Sequence, residues 1–347
     1  MSGSGQVELP YISAELPGVG GVLKSTPEHF VVEEIPLYAP SGDGPHLYLT
    51  VRRQGLTTRQ MVDELAKAYD VPAASIGYSG LKDKEALTTQ TFSLATNMDD
   101  QEARGRSVGA AWELLSLSRH RNKLKVGHLL GNRFTIILSG PNGSISEAKA
   151  IAEKLRSEGV LNYFGAQRFG KDGDNMALGL KFLKSGRKAR SWKDKFLLSS
   201  LQSFIYNHYL GERVNRGLFP VVMTGDICKK YETGGIFTSE NGQAETARFR
   251  QGELSHTGPI FGAKTKRAEG EAGEFEVSIL AGLGLSEEEM AGAGSGDRRI
   301  NRLLVPDLSV EEVAEGFCFS FALPKGAYAT SVLREFIKGE QPAAAGD

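Results

Sequence analysis

One short loop in this sequence carries residues that could act chemically. Residues 80–84 read Gly-Leu-Lys-Asp-Lys, so Asp83 stands between Lys82 and Lys84, directly before a strand-like alternation at residues 87–92. A carboxylate held in such a loop can be a nucleophile, and a nearby cation favours its charged form. An aspartate in a turn can also hydrogen-bond its own backbone or cap the next element, and residue chemistry alone favours that interpretation.

Hydrophobic periodicity predicts the elements that must position this loop. Alternating, β-prone sequence predicts strands at residues 21–37, 46–51, from the loop through 94, 112–117, 133–138 and 317–323. Apolar residues at helical spacing predict helices at residues 59–69, 146–158, 196–214 and 330–338. Two glycine-rich stretches, residues 233–242 and 281–296, are expected to be loops, and neither has the spacing of a phosphate-binding motif. The pattern lacks the regular βαβ alternation of a doubly wound sheet, and it indicates a mixed α+β protein.

The length and the distribution of charge bear on the number of domains and on the partner. A chain of 347 residues that is 40% hydrophobic predicts two domains. Because the formal net charge is -1, attraction for a polyanion must come from local runs of charge. Two intervals lack acidic residues, and their basic residues and histidines are Arg119, His120, Arg121, Lys123, Lys125, His128 and Arg133 in the first, and Lys181, Lys184, Arg187, Lys188, Arg190 and Lys193 in the second. Either interval alone fits a solvated surface, but the two together favour a polyanionic partner.

The remaining composition argues against several other classes of protein. Cys228 and Cys318 lie far apart, and neither they nor the six histidines show ligand spacing, so the sequence predicts a reducing compartment and no metal. The first residues do not have the pattern of a signal peptide, and no stretch approaches the roughly 20 apolar residues of a membrane span. A cytoplasmic location without membrane association is therefore expected.

A second segment gives the Asp83 loop a specific context. Residues 162–170 read Asn-Tyr-Phe-Gly-Ala-Gln-Arg-Phe-Gly. Together with the loop, this segment resembles the signature motifs of the TruD family, the tRNA pseudouridine synthases that isomerise a uridine in RNA. The resemblance covers nearly the whole chain in six separated blocks of matching order: residues 21–24 with 27–33, 80–84, 119–125, 131–135, 162–170 and 329–335.

The resemblance implies an active site. Asp83 matches the family's nucleophile, which attacks either C1′ of the ribose or C6 of the base so that the base can detach, turn and reattach. Lys24 matches an active-site participant, while Lys82 and Lys84 are the other cations that could keep Asp83 ionised. The residues that match positions lining the pocket for the flipped base are Phe30, Asn132, Phe134 and Tyr328.

These pocket residues have ordinary structural alternatives. Phenylalanines in strands are usually core, an asparagine after a glycine usually makes a turn, and residue chemistry alone would leave Lys24 as a solvated surface lysine. Asn132 can offer both a donor and an acceptor to uracil. Tyr328 stands where the family is expected to have phenylalanine, so the ring face persists and a hydroxyl is added. The roles of Gln167 and Arg168 stay open between RNA contact and support of a domain junction.

The resemblance also implies the reaction, the partner and the domain arrangement. Pseudouridine formation breaks the bond from ribose to N1 of uracil and remakes it to C5 without net redox change, so no cofactor is expected. The expected partner is tRNA, with its single target uridine, uridine 13, flipped into the pocket, and no obligatory protein partner is inferred. The expected catalytic domain has a mainly antiparallel sheet and comprises residues 1–158 and 305–347, with a family-specific α/β domain inserted at residues 159–304. RNA binding through positively charged surface should weaken steeply with salt.

Two other functions compete with this interpretation. A non-catalytic RNA-binding or RNA-remodelling protein could keep the same scaffold, although the nucleophile position is still aspartate. A carboxylate-dependent enzyme such as a glycoside hydrolase would usually need a second carboxyl group across the bond. Glu33 or Glu85 could be that partner, but no motif supports either residue, and the basic intervals would have no explanation.

Overall fold

A computed structural model describes residues 9–23, 26–107, 111–170 and 173–339, with the exception of the side chain of Gln167. The chain divides into two compact units. The sheet unit comprises Pro17–Glu153 and Val305–Ala329. The helix-rich unit comprises Lys154–Leu304 together with the described residues at the two ends, 9–16 and 330–339. The predicted functional division, with residues 159–304 inserted between 1–158 and 305–347, stays a prediction.

The elements follow one another in three stretches of chain. The first stretch contains β1 (Val22–Leu23), β2 (Phe30–Pro36), β3 (His46–Arg53), α1 (Thr58–Tyr69), β4 (Gly77–Tyr78), β5 (Leu87–Ala95), α2 (Asp100–Gly105), β6 (Trp112–His120), β7 (Leu129–Ser139) and α3 (Ile145–Glu158). The middle stretch contains β8 (Val160–Leu161), α4 (Asp174–Lys184), α5 (Trp192–Asn215), β9 (Ile227–Lys230), β10 (Ile236–Thr238), α6 (Gly242–Arg250), β11 (Leu254–Ile260), α7 (Gly270–Gly282), α8 (Glu287–Ala291), β12 (Asp297–Ile300) and β13 (Arg302–Leu303). The last stretch contains β14 (Ser309–Val313), β15 (Gly316–Pro324) and α9 (Ala329–Ile337).

The sheet unit is built on one large, mainly antiparallel sheet. Its strands run in the order β14-β15-β7-β2-β5-β3-β6, with β1 paired to β7 and β4 paired to β5. The pair β2–β5 is parallel, whereas the other pairs of this sheet in the described part of the chain are antiparallel. The predicted mixed α+β class with a mainly antiparallel sheet is confirmed.

The strand register places several candidate site residues on one face of this sheet. Directly opposite residues of neighbouring strands share a face, and every second residue of a strand returns to it. The residues aligned in this way are Phe30, Val32 and Glu34 of β2, Asn132 and Phe134 of β7, Thr88 and Gln90 of β5, and Arg53 of β3. Residues from four different strands are thereby brought together.

Helix α1 covers part of the sheet and fixes the turn that follows β3. Thr57 caps the helix, because its side chain accepts a hydrogen bond from Gln60 N–H while the Gln60 side chain accepts one from Thr57 N–H. The apolar face buries Met61 and Leu65 in a core that includes Leu49 of β3. The helix predicted at residues 59–69 is therefore confirmed, with its start defined by the cap.

The helix-rich unit is organised around α5. This helix begins earlier than the predicted range of 196–214, because the Ser191 hydroxyl and the Asp194 carboxylate form a capping box at its start. Its inner face packs in a core that also contains residues of α7 and of the sheet β10-β9-β11-β12. Arg213 of α5 and Asp226 form a fully buried ion pair, with Nη2 and Oδ2 separated by 2.5 Å.

The expectation of loops in the two glycine-rich stretches was partly wrong. Residues 233–242 contain strand β10, whose Ile236, Phe237 and Thr238 pair with β9. Residues 281–296 contain helix α8, which starts at a capping box formed by Ser286 and Glu289. Local glycine content concealed both elements, since pairing and capping depend on a few non-glycine residues.

Two kinds of feature are absent from the described ranges. None of the helices combines the length and apolar character needed to cross a bilayer. Among the same residues, no group of three or more histidine, cysteine, aspartate and glutamate side chains is placed to hold a metal ion.

Candidate active site

The loop that carries Asp83 is anchored on both sides of this residue. The backbone N–H of Lys82 donates to Thr58 Oγ1 at 2.9 Å, and the carbonyl of Lys84 accepts from the N–H of Gly55 at 3.1 Å. Both anchors belong to the β3–α1 segment. A third hydrogen bond, 2.7 Å long, runs from Gln90 Nε2 to the carbonyl of Gly80. The loop is therefore held in one position against the sheet.

Asp83 lies at the exposed tip of this anchored loop. Its Oδ1 accepts a hydrogen bond of 3.2 Å from the backbone N–H of Glu85, which is the local contact expected of an aspartate in a turn. Its side chain is nevertheless exposed to solvent. The turn interpretation and the nucleophile interpretation are compatible, because the turn orients a carboxylate that a ligand can reach.

Beside the loop, Lys82 is buried and joins two strands. Its Nζ lies 3.1 Å from Glu34 Oε2 and donates to Asn132 Oδ1 at 2.6 Å, with the Lys82 side chain 5% exposed and that of Glu34 3% exposed. Burial lowers the pKa of Lys82, and the negative charge of Glu34 opposes this shift. Ser79 donates a short hydrogen bond to Glu34. The charge of Lys82 is thus compensated by Glu34.

The contact with Lys82 fixes the orientation of the Asn132 amide. An ammonium group has only donors, so the Asn132 atom that faces it must be the carbonyl oxygen. The Asn132 Nδ2 group then points away from Lys82 and keeps its two donors for another partner. Asn132 and Glu34 are directly opposite each other in β7 and β2, which explains why one lysine reaches both.

A buried arginine, which the sequence analysis missed, lies under the loop. Arg53 is 2% exposed, and its Nη2 donates to Thr58 Oγ1 at 3.1 Å and to Gln90 Oε1 at 3.3 Å. In the part of the chain that the structure describes, its Nε and Nη1 have no hydrogen-bond partner. Burial lowers the pKa of Arg53 to about 10, and the negative charge of Asp83 opposes that shift. Arg53 is therefore a cation at neutral pH and an electrostatic neighbour of Asp83.

No local pattern marks Arg53, Glu34, Thr58 or Gln90 as parts of a site. The available signal for Arg53 was its position two residues beyond a predicted strand, with the spacing of the inward-facing residues, where a buried arginine needs a partner. Residues 46–51 were predicted as the strand, and β3 extends two residues further to Arg53. The part of β3 beyond the predicted strand therefore contains Arg53, which shares the hydroxyl of Thr58 with the backbone of the Asp83 loop.

Aromatic residues line the same face of the sheet. The rings of Phe30 and Phe134 meet edge to face at 6.3 Å, and Phe134 stacks on Phe321 at 5.5 Å. Phe30 and Phe134 are each 7% exposed, so most of their surface packs within the protein. Tyr328 lies between β15 and α9 and is 42% exposed. The roles of these three residues in holding a base stay predictions.

Two of the other predicted residues cannot be placed, and a third has a structural role. Lys24 and the side chain of Gln167 lie outside the described residues. Arg168 contacts helix α5, where it donates to the hydroxyls of Ser199 and Ser203 and lies over the ring of Phe196 at 5.4 Å. Within the helix-rich unit, Arg168 therefore braces the segment that contains it against α5.

The two basic intervals differ in how their charges are used. In the first, Arg119 pairs with Asp100, Arg121 with Asp43 and Arg133 with Asp307. In the second, the basic residues are exposed, and Lys184 lies 3.7 Å from Glu289. The second interval therefore keeps more of its charge for a partner.

Comparisons with known proteins give one consistent result. A family model described as tRNA pseudouridine synthase D (TruD) matches residues 6–192 and 192–336. The tRNA pseudouridine synthase D of Thermus thermophilus is 44% identical over 333 residues, which cover 95% of this chain and 92% of that protein. The protein of the same name from Anaeromyxobacter dehalogenans is 43% identical over 343 residues, covering 96% and 97% of the two chains.

A solved structure shows the same fold at low sequence identity. It is a putative tRNA pseudouridine synthase D (TruD) from Methanosarcina mazei, which superposes with a TM-score of 0.78 and covers 96% of this chain and 99% of its own. Because the two sequences are only 23% identical, this likeness concerns the fold alone.

Proposed function

Because the chain belongs to the tRNA pseudouridine synthase D (TruD) family, we propose that it isomerises uridine 13 of tRNA to pseudouridine, with Asp83 as the nucleophile. The observation that carries the assignment of the nucleophile is the anchored loop, which holds Asp83 exposed beside the buried cation Arg53. Of the two exposed carboxylates in this loop, Asp83 and Glu85, Asp83 follows the anchored Lys82 directly.

The chemistry needs an ionised carboxylate and a mobile base. In one route, Asp83 attacks C1′, the N1–C1′ bond breaks, and uracil leaves with the electron pair. The base then turns, C5 attacks C1′ and releases the carboxylate, the C5 proton is lost and N1 takes up a proton. In the other route, the Asp83 carboxylate adds to C6, the N1–C1′ bond breaks, and the base turns while it stays bonded to Asp83. C5 then bonds to C1′, the C5 proton is lost, the C6–carboxylate bond breaks to release Asp83, and N1 takes up a proton. Both routes begin with a negatively charged Asp83, and the charge of Arg53 favours that state.

In this proposal, Lys82 orients a residue that binds the uracil base and does not act on the nucleophile Asp83. Lys82 is occupied by Glu34 and by the carbonyl oxygen of Asn132. The Asn132 Nδ2 group is consequently oriented to donate to a carbonyl oxygen of the flipped uracil. Phe30 and Phe134 contribute the apolar wall beside Asn132, and Tyr328 offers an exposed ring for stacking. Lys24 is proposed as a further active-site participant on the basis of the family resemblance alone.

Tritium release tests the proposed reaction. Replacement of the C5 hydrogen during isomerisation should release tritium from tRNA transcripts labelled at C5 of uridine, and chemical mapping should place the product at position 13. A transcript with cytidine at position 13 is the matched control and should release nothing. If tRNA is bound but no tritium is released from any transcript, the non-catalytic RNA-binding alternative replaces this proposal.

Removing the charge of Arg53 should shift the pH dependence of the reaction. With the Arg53→Gln variant, the acid limb of the kcat/KM profile is expected to move up by about 1–2 pH units, since a carboxylate that loses a cationic neighbour ionises less readily. The Arg53→Lys variant keeps the charge and should restore most of the profile. The measurement is single-turnover tritium release between pH 5 and pH 9.

Arg52 provides the control for this experiment. It is the neighbour of Arg53 in β3, but its side chain is 45% exposed and pairs with Glu113 at 3.3 Å. The Arg52→Gln variant should leave the profile unchanged. A purely structural role of Arg53 would lower the rate at all pH values without moving the acid limb, and that result would contradict the proposal.

A further inference from the structure

The helix-rich unit carries a large aromatic side chain on its surface. Trp192, the first residue of α5, is 77% exposed, whereas the other tryptophan, Trp112, is 6% exposed. Tryptophan combines a large apolar surface with an N–H donor and is enriched at interfaces, so an indole that is 77% exposed is a candidate contact surface. The position of Trp192 therefore calls for an explanation.

The indole is held in a defined orientation by its neighbours. Its ring is nearly parallel to that of Phe196, with an interplanar angle of 15° and centroids 5.2 Å apart. The guanidinium of Arg168 lies over the Phe196 ring at 5.4 Å, and Arg168 in turn donates hydrogen bonds to the hydroxyls of Ser199 and Ser203. One face of the indole lies against Phe196, and the 77% exposure of Trp192 indicates that the opposite face is open to solvent.

The start of α5 is held by a capping box, which fixes the backbone that carries the indole. The Asp194 carboxylate accepts hydrogen bonds from the backbone N–H groups of Arg190 and Ser191, and these bonds hold the pKa of Asp194 below its usual range. Asp194, the acidic residue nearest to Trp192 in the sequence, is thus committed to the helix cap. A pre-oriented ring loses little conformational entropy when a ligand stacks on it.

Apart from Asp194, the charged residues that flank Trp192 between residues 181 and 193 of the sequence are basic. The exposed residues Arg187, Lys188, Arg190 and Lys193 come from the acid-free interval that ends at Asp194. Among these, Arg187 is placed over the ring of Phe182 at 5.2 Å, so its guanidinium is also positioned. An exposed aromatic ring flanked in the sequence by exposed cations fits a nucleotide, because the ring can stack on the base and the cations attract the phosphates.

We propose that Trp192 is a stacking platform for an unpaired base of the bound RNA, with Arg187, Lys188, Arg190 and Lys193 contacting the adjoining phosphates. The identification of RNA as the ligand rests on the proposed function, whereas the platform itself rests on the geometry of Trp192 and its neighbours. This contact would raise the affinity for the RNA and position it. Trp192 is distant in sequence from the residues proposed to act on the uridine.

Tryptophan fluorescence gives a direct readout of this contact. Titration of the wild-type protein with a tRNA transcript should quench the emission of Trp192, and the same titration of the Trp192→Phe variant should lack that component because Trp112 is buried in both proteins. Oligouridylate is the second probe, since it offers unpaired bases without tRNA structure. Both titrations are made at low and at high salt, and the quenching should require more RNA at high salt.

Affinity measurements complete the test. The Trp192→Ala variant should raise the Kd for tRNA by about 5-fold or more, whereas Trp192→Phe keeps an aromatic face and should raise it less. The matched control is Val277→Ala, since Val277 is an exposed apolar residue of α7 in the same unit, 49% exposed. Circular dichroism checks that each variant is folded.

The outcomes separate this inference from the proposed function. If Trp192→Ala binds tRNA with the wild-type Kd, or if RNA does not quench Trp192, the platform is refuted even when the protein isomerises uridine normally. If Trp192 is quenched by tRNA but no transcript releases tritium, the platform stands and the proposed function fails.

Discussion

The Asp83→Asn variant is expected to lose at least about 10³-fold of the isomerisation rate while it keeps its fold and its affinity for tRNA. Asparagine has nearly the same shape as aspartate, and its side-chain oxygen can still accept the hydrogen bond from Glu85 N–H. It cannot act as the charged nucleophile. The loop should stay in place, because its anchors at Gly80, Lys82 and Lys84 involve backbone atoms that the substitution does not change.

Tritium release under single-turnover conditions measures the effect, and filter binding measures the affinity for tRNA. The Glu85→Gln variant is the matched control, since Glu85 is an exposed carboxylate two residues further along the same loop. It should retain most of the wild-type rate. Comparable losses in both variants would mean that the loop needs negative charge in general, and a rate near wild type for Asp83→Asn would rule out Asp83 as the nucleophile.

The Lys82→Met variant should lower the free energy of unfolding by about 3–5 kcal/mol, because it leaves Glu34 charged and buried without its partner. It also removes the hydrogen bond that orients Asn132. The measurement is urea unfolding followed by circular dichroism. A loss below about 1 kcal/mol, the range of an exposed ion pair, would contradict the description of this pair as buried.

A double variant separates stability from function. In Glu34→Gln with Lys82→Met, the uncompensated charge is gone and Ser79 still has an oxygen to bind, so most of the lost stability should return. Activity should not return, since Asn132 no longer has a fixed orientation for the base. Recovery of both stability and rate would show that Lys82 matters only for folding.

The sequence determined the location of the candidate nucleophile and most of the elements around it. The motif at residues 80–84 singled out Asp83, and the periodicity of residues 59–69 and the β-prone run at 133–138 correspond to α1 and part of β7. These features are local, because helical spacing, alternation and turn chemistry depend on residues a few positions apart. The same locality explains the two errors in the glycine-rich stretches, where one strand pairing and one cap outweighed composition.

The tertiary structure alone decided which side chains surround Asp83. Lys82 and Asn132 are 50 residues apart in the chain, and they meet because β2 and β7 pair in the register that sets Glu34 opposite Asn132. A shift of one residue would turn these side chains to the other face of the sheet. Arg53 likewise became a neighbour of Asp83 through the anchoring of the loop on the β3–α1 segment. The helical spacing of apolar residues in α5 likewise did not predict that Trp192 is exposed, since burial depends on what packs against each face of the helix.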